Sequence, residues 1–128
     1  MIMKRAMTAV VLLLVALAAA GPAAAAPRRP GIDLVISYMA EAGYAAAVTL
    51  TCNPVGGAHP RAAKACAALK KTGGKPAKLK PAKTICTLEY APITAEIEGT
   101  WKGRGMRWSK TFPNPCALRR ATGVVFAF

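Results

Sequence analysis

Acidic residues and histidine are scarce in this chain. Its 128 residues include five Asp and Glu, one His, and 18 Lys and Arg, for a formal net charge of +13. Nucleophilic or acid–base catalysis needs an activating histidine or a polarised carboxylate, and the one histidine, His59, stands alone. Glu96 and Glu98 lie on one side of a predicted strand. Exposure of that side to solvent explains them more simply than a catalytic pair of carboxylates does. We therefore expect a protein that is not an enzyme.

The chain also lacks an apolar run long enough to cross a bilayer. Residues 9–20 are uninterrupted and apolar, but a spanning helix needs roughly 20 such residues. Lys4 and Arg5 precede this run and small residues follow it at 21–26. That order is typical of a secretory signal peptide. The sequence predicts a secreted, extracellular protein with no membrane span after cleavage.

The signal peptide sets the predicted domain boundaries. We assign residues 1–26 to it, with cleavage near Ala24 to Ala26, residues 27–33 to a flexible lead, and residues 34–128 to one small domain. Loss of Lys4 and Arg5 lowers the net charge from +13 to +11.

Closely spaced cysteines are absent as well. Zinc ligands usually occur in pairs two to four residues apart, and none of the four cysteines has such a neighbour. We therefore expect no metal and no cofactor. An even cysteine count in a secreted chain indicates disulfides instead. Of the three possible pairings, the short local loop favours Cys52 with Cys66, which leaves Cys86 with Cys116.

The positive charge is concentrated in the middle of the chain. Between Glu41 and Glu89 there is no acid, but there are these cations: Arg61, Lys64, Lys70, Lys71, Lys75, Lys78, Lys80 and Lys83. Such a patch can attract nucleic acid, anionic envelope polymers or an acidic protein, and a solvated face has the same composition. Trp101 and Trp108 stand among further cations, but alternation places them more simply against a core.

Apolar–polar alternation predicts strands. The five predicted strands are 34–39, 48–52, 93–98, 106–112 and 124–128. A turn is predicted at 40–47, another at Gly99, and a hairpin tip at Gly103 and Gly105 around Arg104. Short connections between neighbouring strands favour an antiparallel sheet with helices beside it, an α+β fold.

Two short helices complete the predicted elements. One opens at His59-Pro60 and ends at Gly73-Gly74. The other covers 116–120, with Asn114 as its cap and Pro115 in its first turn. Lysine-rich residues 75–84, without apolar periodicity, predict an exposed connector.

The segment Thr84-Ile85-Cys86-Thr87-Leu88-Glu89-Tyr90-Ala91-Pro92 stands out. A cross-link at Cys86 and the fixed φ of Pro92 would hold it extended. Proteases bind their substrates as extended strands, and a loop that is rigid before binding loses little entropy on docking.

These residues carry a resemblance to a known family. The chain resembles the Streptomyces subtilisin inhibitor family over nearly all of its predicted mature length. The matching motifs are Leu34-Val35, Val48 to Cys52, His59-Pro60 with Cys66, Cys86 to Pro92, Gly99 to Gly103, Thr111-Phe112 with Asn114 and Cys116, and Val124 to Phe128.

The resemblance implies a fold and an activity. The fold is a five-stranded antiparallel sheet with two short helices and the disulfides Cys52–Cys66 and Cys86–Cys116, in a homodimer joined through sheet faces. The activity is substrate-like inhibition of subtilisin-like serine proteases, with chymotrypsin-like enzymes as a second class of target.

The family pattern also assigns site residues. It places the reactive bond at Leu88-Glu89, and Ile85, Cys86, Thr87 and Tyr90 in the protease-contacting loop. Asn114 matches the residue that braces this loop. Two features depart from the pattern: the connection at 40–47 is shorter than usual, and the chain is unusually basic. The alternative function is a cationic secreted protein that binds envelope polymers or nucleic acid on the same scaffold.

Overall fold

The computed structural model describes Gly21 and residues 31–128. Apart from Gly21, the predicted signal peptide at 1–26 lies outside the described residues, as do residues 27–30 of the predicted lead. No helix in the described part is long and apolar enough to cross a membrane.

Four strands form one antiparallel sheet. They are β1 (Ile32–Ala40), β2 (Ala45–Cys52), β3 (Ile93–Trp101) and β4 (Arg104–Phe112), in the order β2-β1-β3-β4. Alternate residues of β1 and β3 are buried, so that one face of the sheet packs on the core and the other faces solvent. The α+β class is confirmed, although the sheet has four strands and not five.

Two helices cover the inner face of the sheet. Helix α1 (Ala62–Lys71) and helix α2 (Pro115–Thr122) are each followed by a short 3₁₀ turn, at Pro76–Lys78 and Gly123–Phe126 respectively. Helix α1 begins two residues after Pro60, slightly later than predicted. Helix α2 begins at Pro115 with Asn114 as its N-cap, as the local sequence indicates.

The core lies between the sheet and the helices. Ile36 and Ile97 from the sheet, Leu69 from α1 and Val125 from the C-terminal 3₁₀ turn are all completely buried. Trp101 and Trp108 are partly buried against this cluster, as alternation predicts. The disulfide between Cys52 and Cys66 joins the end of β2 to α1, and the second joins Cys86 to Cys116.

The predicted strand at 124–128 is wrong. Gly123, with a φ of 55°, ends α2 in the left-handed region, and the chain continues directly into the 3₁₀ turn. Val125 and Phe126 are both buried although they are neighbours. A strand would send their side chains to opposite faces, whereas the tight turn lets both fill the space between the helices and the sheet.

The limits of β1 and β2 also differ from those predicted. Ile32 and Asp33, assigned to the flexible lead, belong to β1 and pair with Cys52 and Thr51. The predicted turn at 40–47 is confined to residues 41–44, because Ala45 to Ala47 already pair with β1.

The predicted turn at Gly99 is wrong as well. Gly99 lies inside β3 with a φ of 144°. A β-carbon built there would collide with the backbone oxygen of Asp33 on β1. Gly99 is therefore needed for the close approach of two strands, and the chain reverses at Lys102-Gly103.

We expect Gly99→Ala to destabilise the fold by about 2–4 kcal/mol, because the added methyl group meets backbone and the φ suits only glycine. Urea unfolding monitored by tryptophan fluorescence measures this change. Gly105→Ala is the matched control, since a β-carbon at Gly105 has no atom within 4 Å. Equal stability of the two variants would contradict the assignment.

Candidate functional site

The most exposed large apolar side chains lie in one loop. Residues 84–92 have no regular secondary structure, and within them Ile85, Leu88 and Tyr90 are 94%, 102% and 82% exposed. Apolar side chains presented together to water usually mark an interaction surface. Leu88, at the centre of the loop, has no protein cover.

The loop is fixed to α2 by a disulfide. Cys86, two residues before Leu88, is bonded to Cys116 at the start of α2. This bond prevents the segment before Leu88 from moving away from the domain.

Asn114 holds the residues on both sides of Leu88. Its side-chain amide nitrogen donates hydrogen bonds to the backbone oxygens of Thr87 at 3.2 Å and Glu89 at 2.8 Å. Its side-chain oxygen accepts a hydrogen bond from the Ala117 backbone N–H at 2.8 Å. The Asn114 residue is only 4% exposed. One buried amide therefore caps α2 and fixes the loop backbone.

The far end of the loop is held by two backbone hydrogen bonds. Ala91 N–H donates to the Pro113 oxygen at 2.8 Å, and Glu41 N–H donates to the Pro92 oxygen at 2.9 Å. The second bond brings the β1–β2 turn against the end of the loop. Pairing of Ile93 with Phe112 in the sheet continues this attachment.

The lysine-rich connector before the loop is anchored, which corrects the prediction of an exposed segment. Pro76 and Leu79 are buried, and Ala82 N–H donates to the Arg120 oxygen at 2.8 Å. Lys78 and Lys80 remain exposed between these anchors, and Lys83 is exposed just after the last of them.

The sequence does not predict the two backbone hydrogen bonds made by Glu41 and Ala82. Backbone hydrogen bonds carry no side-chain signature. Leu79, an apolar residue among lysines, is the feature of the sequence that indicates a contact between the connector and the core.

The described part of the chain offers no catalytic arrangement. His59 is buried, its Nδ1 accepts from the Arg61 backbone N–H at 2.9 Å, and its Nε2 lies 3.0 Å from the Val125 oxygen. Glu96 pairs with Arg107 on the sheet surface. Residues 31–128 contain no group of three or more His, Cys, Asp or Glu placed to bind a metal.

Comparison with known proteins gives a consistent result. The family model described as "Subtilisin inhibitor-like" matches residues 31–114. "Subtilisin inhibitor-like protein 1" of Streptomyces cacaoi is 46% identical over 107 residues, which cover 80% of this chain and 97% of the relative. "Protease inhibitor SIL-V5" of Streptomyces luteoverticillatus is 45% identical over 92 residues, 70% of this chain and 85% of the relative.

A solved structure has a similar fold. Streptomyces caespitosus sermetstatin, in complex with Bacillus licheniformis subtilisin, matches with a TM-score of 0.64 and 26% sequence identity. The match covers 75% of this chain and 97% of sermetstatin.

The two roles of Asn114 can be separated by substitution. Asn114→Ser keeps a capping oxygen for α2, but its shorter side chain has a single O–H in place of the amide nitrogen that donates to both Thr87 and Glu89. We expect a loss of stability below about 1 kcal/mol but lower NMR order parameters across residues 87–89. Asn114→Ala, which also removes the cap, should cost about 1 kcal/mol more. Unchanged loop order in both variants would contradict the bracing role.

Proposed function

The chain belongs to the subtilisin inhibitor-like family, and from this we propose that its loop inhibits subtilisin-like serine proteases by presenting the Leu88-Glu89 bond as a substrate. The protein is a serine protease inhibitor and not an enzyme. The observation that carries the proposal for the bond is the full exposure of Leu88 in a loop that is anchored on both sides.

The proposed mechanism follows from these anchors. The protease serine attacks the carbonyl carbon of Leu88, as it would in a substrate. If the bond is cleaved, Cys86–Cys116 still holds the new carboxyl end. The bonds Asn114–Glu89 and Ala91–Pro113 still hold the new amino end. Both ends remain in place to rejoin, so net hydrolysis is slow.

The same anchors support tight binding. A flexible peptide loses conformational freedom when it is immobilised in a cleft, and this loss weakens its binding. Here the backbone around Leu88 is ordered before the protease arrives. Protease–inhibitor interfaces of standard size, about 800 Å² per partner, reach very high affinity when they are preorganised in this way.

Leu88 sets the proposed specificity. Its side chain enters the primary pocket of the protease, and an apolar pocket gains from burying it. Ile85, three residues earlier, reaches the fourth subsite, while Glu89 and Tyr90 occupy the leaving side. Subtilisin-like enzymes, and to a lesser degree chymotrypsin-like enzymes, fit this sequence. Trypsin does not, because its pocket is built for a cation.

Secretion is part of the proposal. The charge–apolar–small order of residues 1–26 supports export, and two disulfides suit an oxidising compartment. The comparisons lend no support to the alternative of a cationic protein that binds nucleic acid or envelope polymers.

We further propose a homodimer joined through the outer face of the sheet. This face carries Val35 and Met39, which are 40% and 66% exposed. Within the four described strands, the outward positions hold no lysine, and Arg107 is their only cation. The high positive charge of the chain is therefore kept away from this face.

Titration of subtilisin and trypsin tests the reactive bond. We expect strong inhibition of subtilisin and weak inhibition of trypsin. Leu88→Gly should raise the inhibition constant for subtilisin at least about 30-fold, the loss expected for a hot-spot side chain of about 2 kcal/mol. Val55→Gly, an exposed apolar residue outside the loop, is the control.

Prolonged incubation with subtilisin should leave a single cut, after Leu88, which mass spectrometry of the reduced protein would locate. Equal inhibition of trypsin, or full inhibition of subtilisin by Leu88→Gly, would overturn the assignment of the bond.

Sedimentation velocity tests the dimer. We expect the wild type to sediment at twice the mass of one chain. Val35→Glu should convert it to the monomer because it adds an acid, opposite Glu98 in the sheet, to a face that is already acidic and meets its copy in a two-fold interface. Val55→Glu adds the same charge elsewhere and should leave the dimer intact. A wild type that stays monomeric at every concentration would refute this interface.

A further inference from the structure

We propose that two cations beside the loop select target proteases by charge. Lys80 and Lys83, called here the basic flank, would meet acidic groups on the protease just beyond its fourth subsite. This inference rests on the proposed function, and it names the kind of partner that the loop is suited to bind: a subtilisin-like enzyme with an acidic rim on that side.

The basic flank has a defined position. Leu79 is buried and Ala82 is bonded to the Arg120 oxygen, so Lys80 is held between these two residues. Lys83 lies between Ala82 and the disulfide-bonded Cys86. Arg120 itself lines the cleft beneath the loop, next to Leu88 and Glu89. The domain therefore holds Lys80 and Lys83 beside the loop.

Within residues 31–128 the basic flank has no acidic partner. The one ion pair there joins Arg107 to Glu96, on the outer face of the sheet. All five acidic residues of the chain belong to the described part, and three of them, Asp33, Glu96 and Glu98, point outward from that face. Of the other two, Glu89 lines the cleft that Arg120 also lines, and Glu41 is bonded to Pro92 on the leaving side. Within the described residues, neither forms an ion pair with Lys80 or Lys83.

Lys83, the member of the basic flank nearer to Leu88, lies within reach of the expected edge of the protease interface, and Lys80 stands three residues farther along the chain. Lys83 stands five residues before Leu88, so their α-carbons are at most about 18 Å apart. A contact area of about 800 Å² per partner corresponds to a disc about 16 Å in radius. Charges at the rim of an interface change the association rate more than the dissociation rate.

The charge changes sign across the scissile bond. Along the chain, the nearest ionisable side chain before Leu88 is Lys83, and the nearest one after it is Glu89. Glu41 is attached to the leaving side through Pro92. Opposite charges on the two sides favour one orientation of the loop as it approaches a charged cleft.

The test measures association and dissociation rate constants with two proteases. One is Bacillus licheniformis subtilisin, and the other is the same enzyme with two aspartates introduced beside its fourth subsite. Inhibitor variants are Lys80→Gln/Lys83→Gln and the control Lys71→Gln/Lys102→Gln. The control removes equal charge near the opposite end of the sheet, where Lys102 stands in the β3–β4 turn.

With the acidic protease at about 10 mM salt, we expect the flank variant to associate about three- to tenfold more slowly than the wild type. The difference should vanish at about 1 M salt, where the screening length falls to about 3 Å. Dissociation rates should agree within about twofold. The control variant should associate with the acidic protease as the wild type does, and the flank effect should shrink with the parent enzyme.

Equal association rates of the flank and control variants with the acidic protease would overturn the inference. If retention on immobilised heparin is lost only in the flank variant while these rates stay equal, the flank serves an anionic polymer and the inference is also wrong. Failure of the proposed function is distinguishable, because then the wild type would not inhibit either protease at any salt concentration.

Discussion

The attachment of the loop to the first turn of α2 is the constraint on which the site depends. Three apolar side chains stand in water at Ile85, Leu88 and Tyr90, a state that an unrestrained loop would leave by folding them against the domain. The Cys86–Cys116 bond and the Asn114 amide prevent this. Because the amide also caps α2, the stability of the helix and the shape of the loop are coupled through one buried side chain.

The sequence predicts this attachment in part. Asn114-Pro115 is a local helix-start signal that depends on no distant contact, and α2 begins where it indicates. Alternation of apolar and polar residues likewise locates the four strands of the sheet, because each strand has one buried and one solvent-exposed face. The proposed scissile bond is different: no pattern of composition or spacing in the sequence marks Leu88, and its prediction follows only from the resemblance to the family.

The errors have a common physical origin. Gly99 is required by the approach of another strand, and a single sequence does not distinguish this from a turn glycine. The C-terminal residues 124–128 alternate like a strand, yet no sheet edge receives them and they fill a gap between helices. In the connector, Pro76 and Leu79 are buried through a 3₁₀ turn that is too short to give a periodic signal. In each case a tertiary contact decides the local structure.

The fold also separates charge. Alternation along β1 and β3 directs Asp33, Glu96 and Glu98 outward on the sheet, whereas Lys80 and Lys83 stand beside the loop, outside the sheet. In the proposed dimer the outer faces of two subunits meet, so that the acidic side chains of one subunit come close to those of the other. Salt screens the repulsion between them. At the loop, salt instead screens the attraction to an acidic protease. Because the two surfaces are separate and opposite in charge, the two proposals together predict that ionic strength shifts self-association and protease encounter in opposite directions.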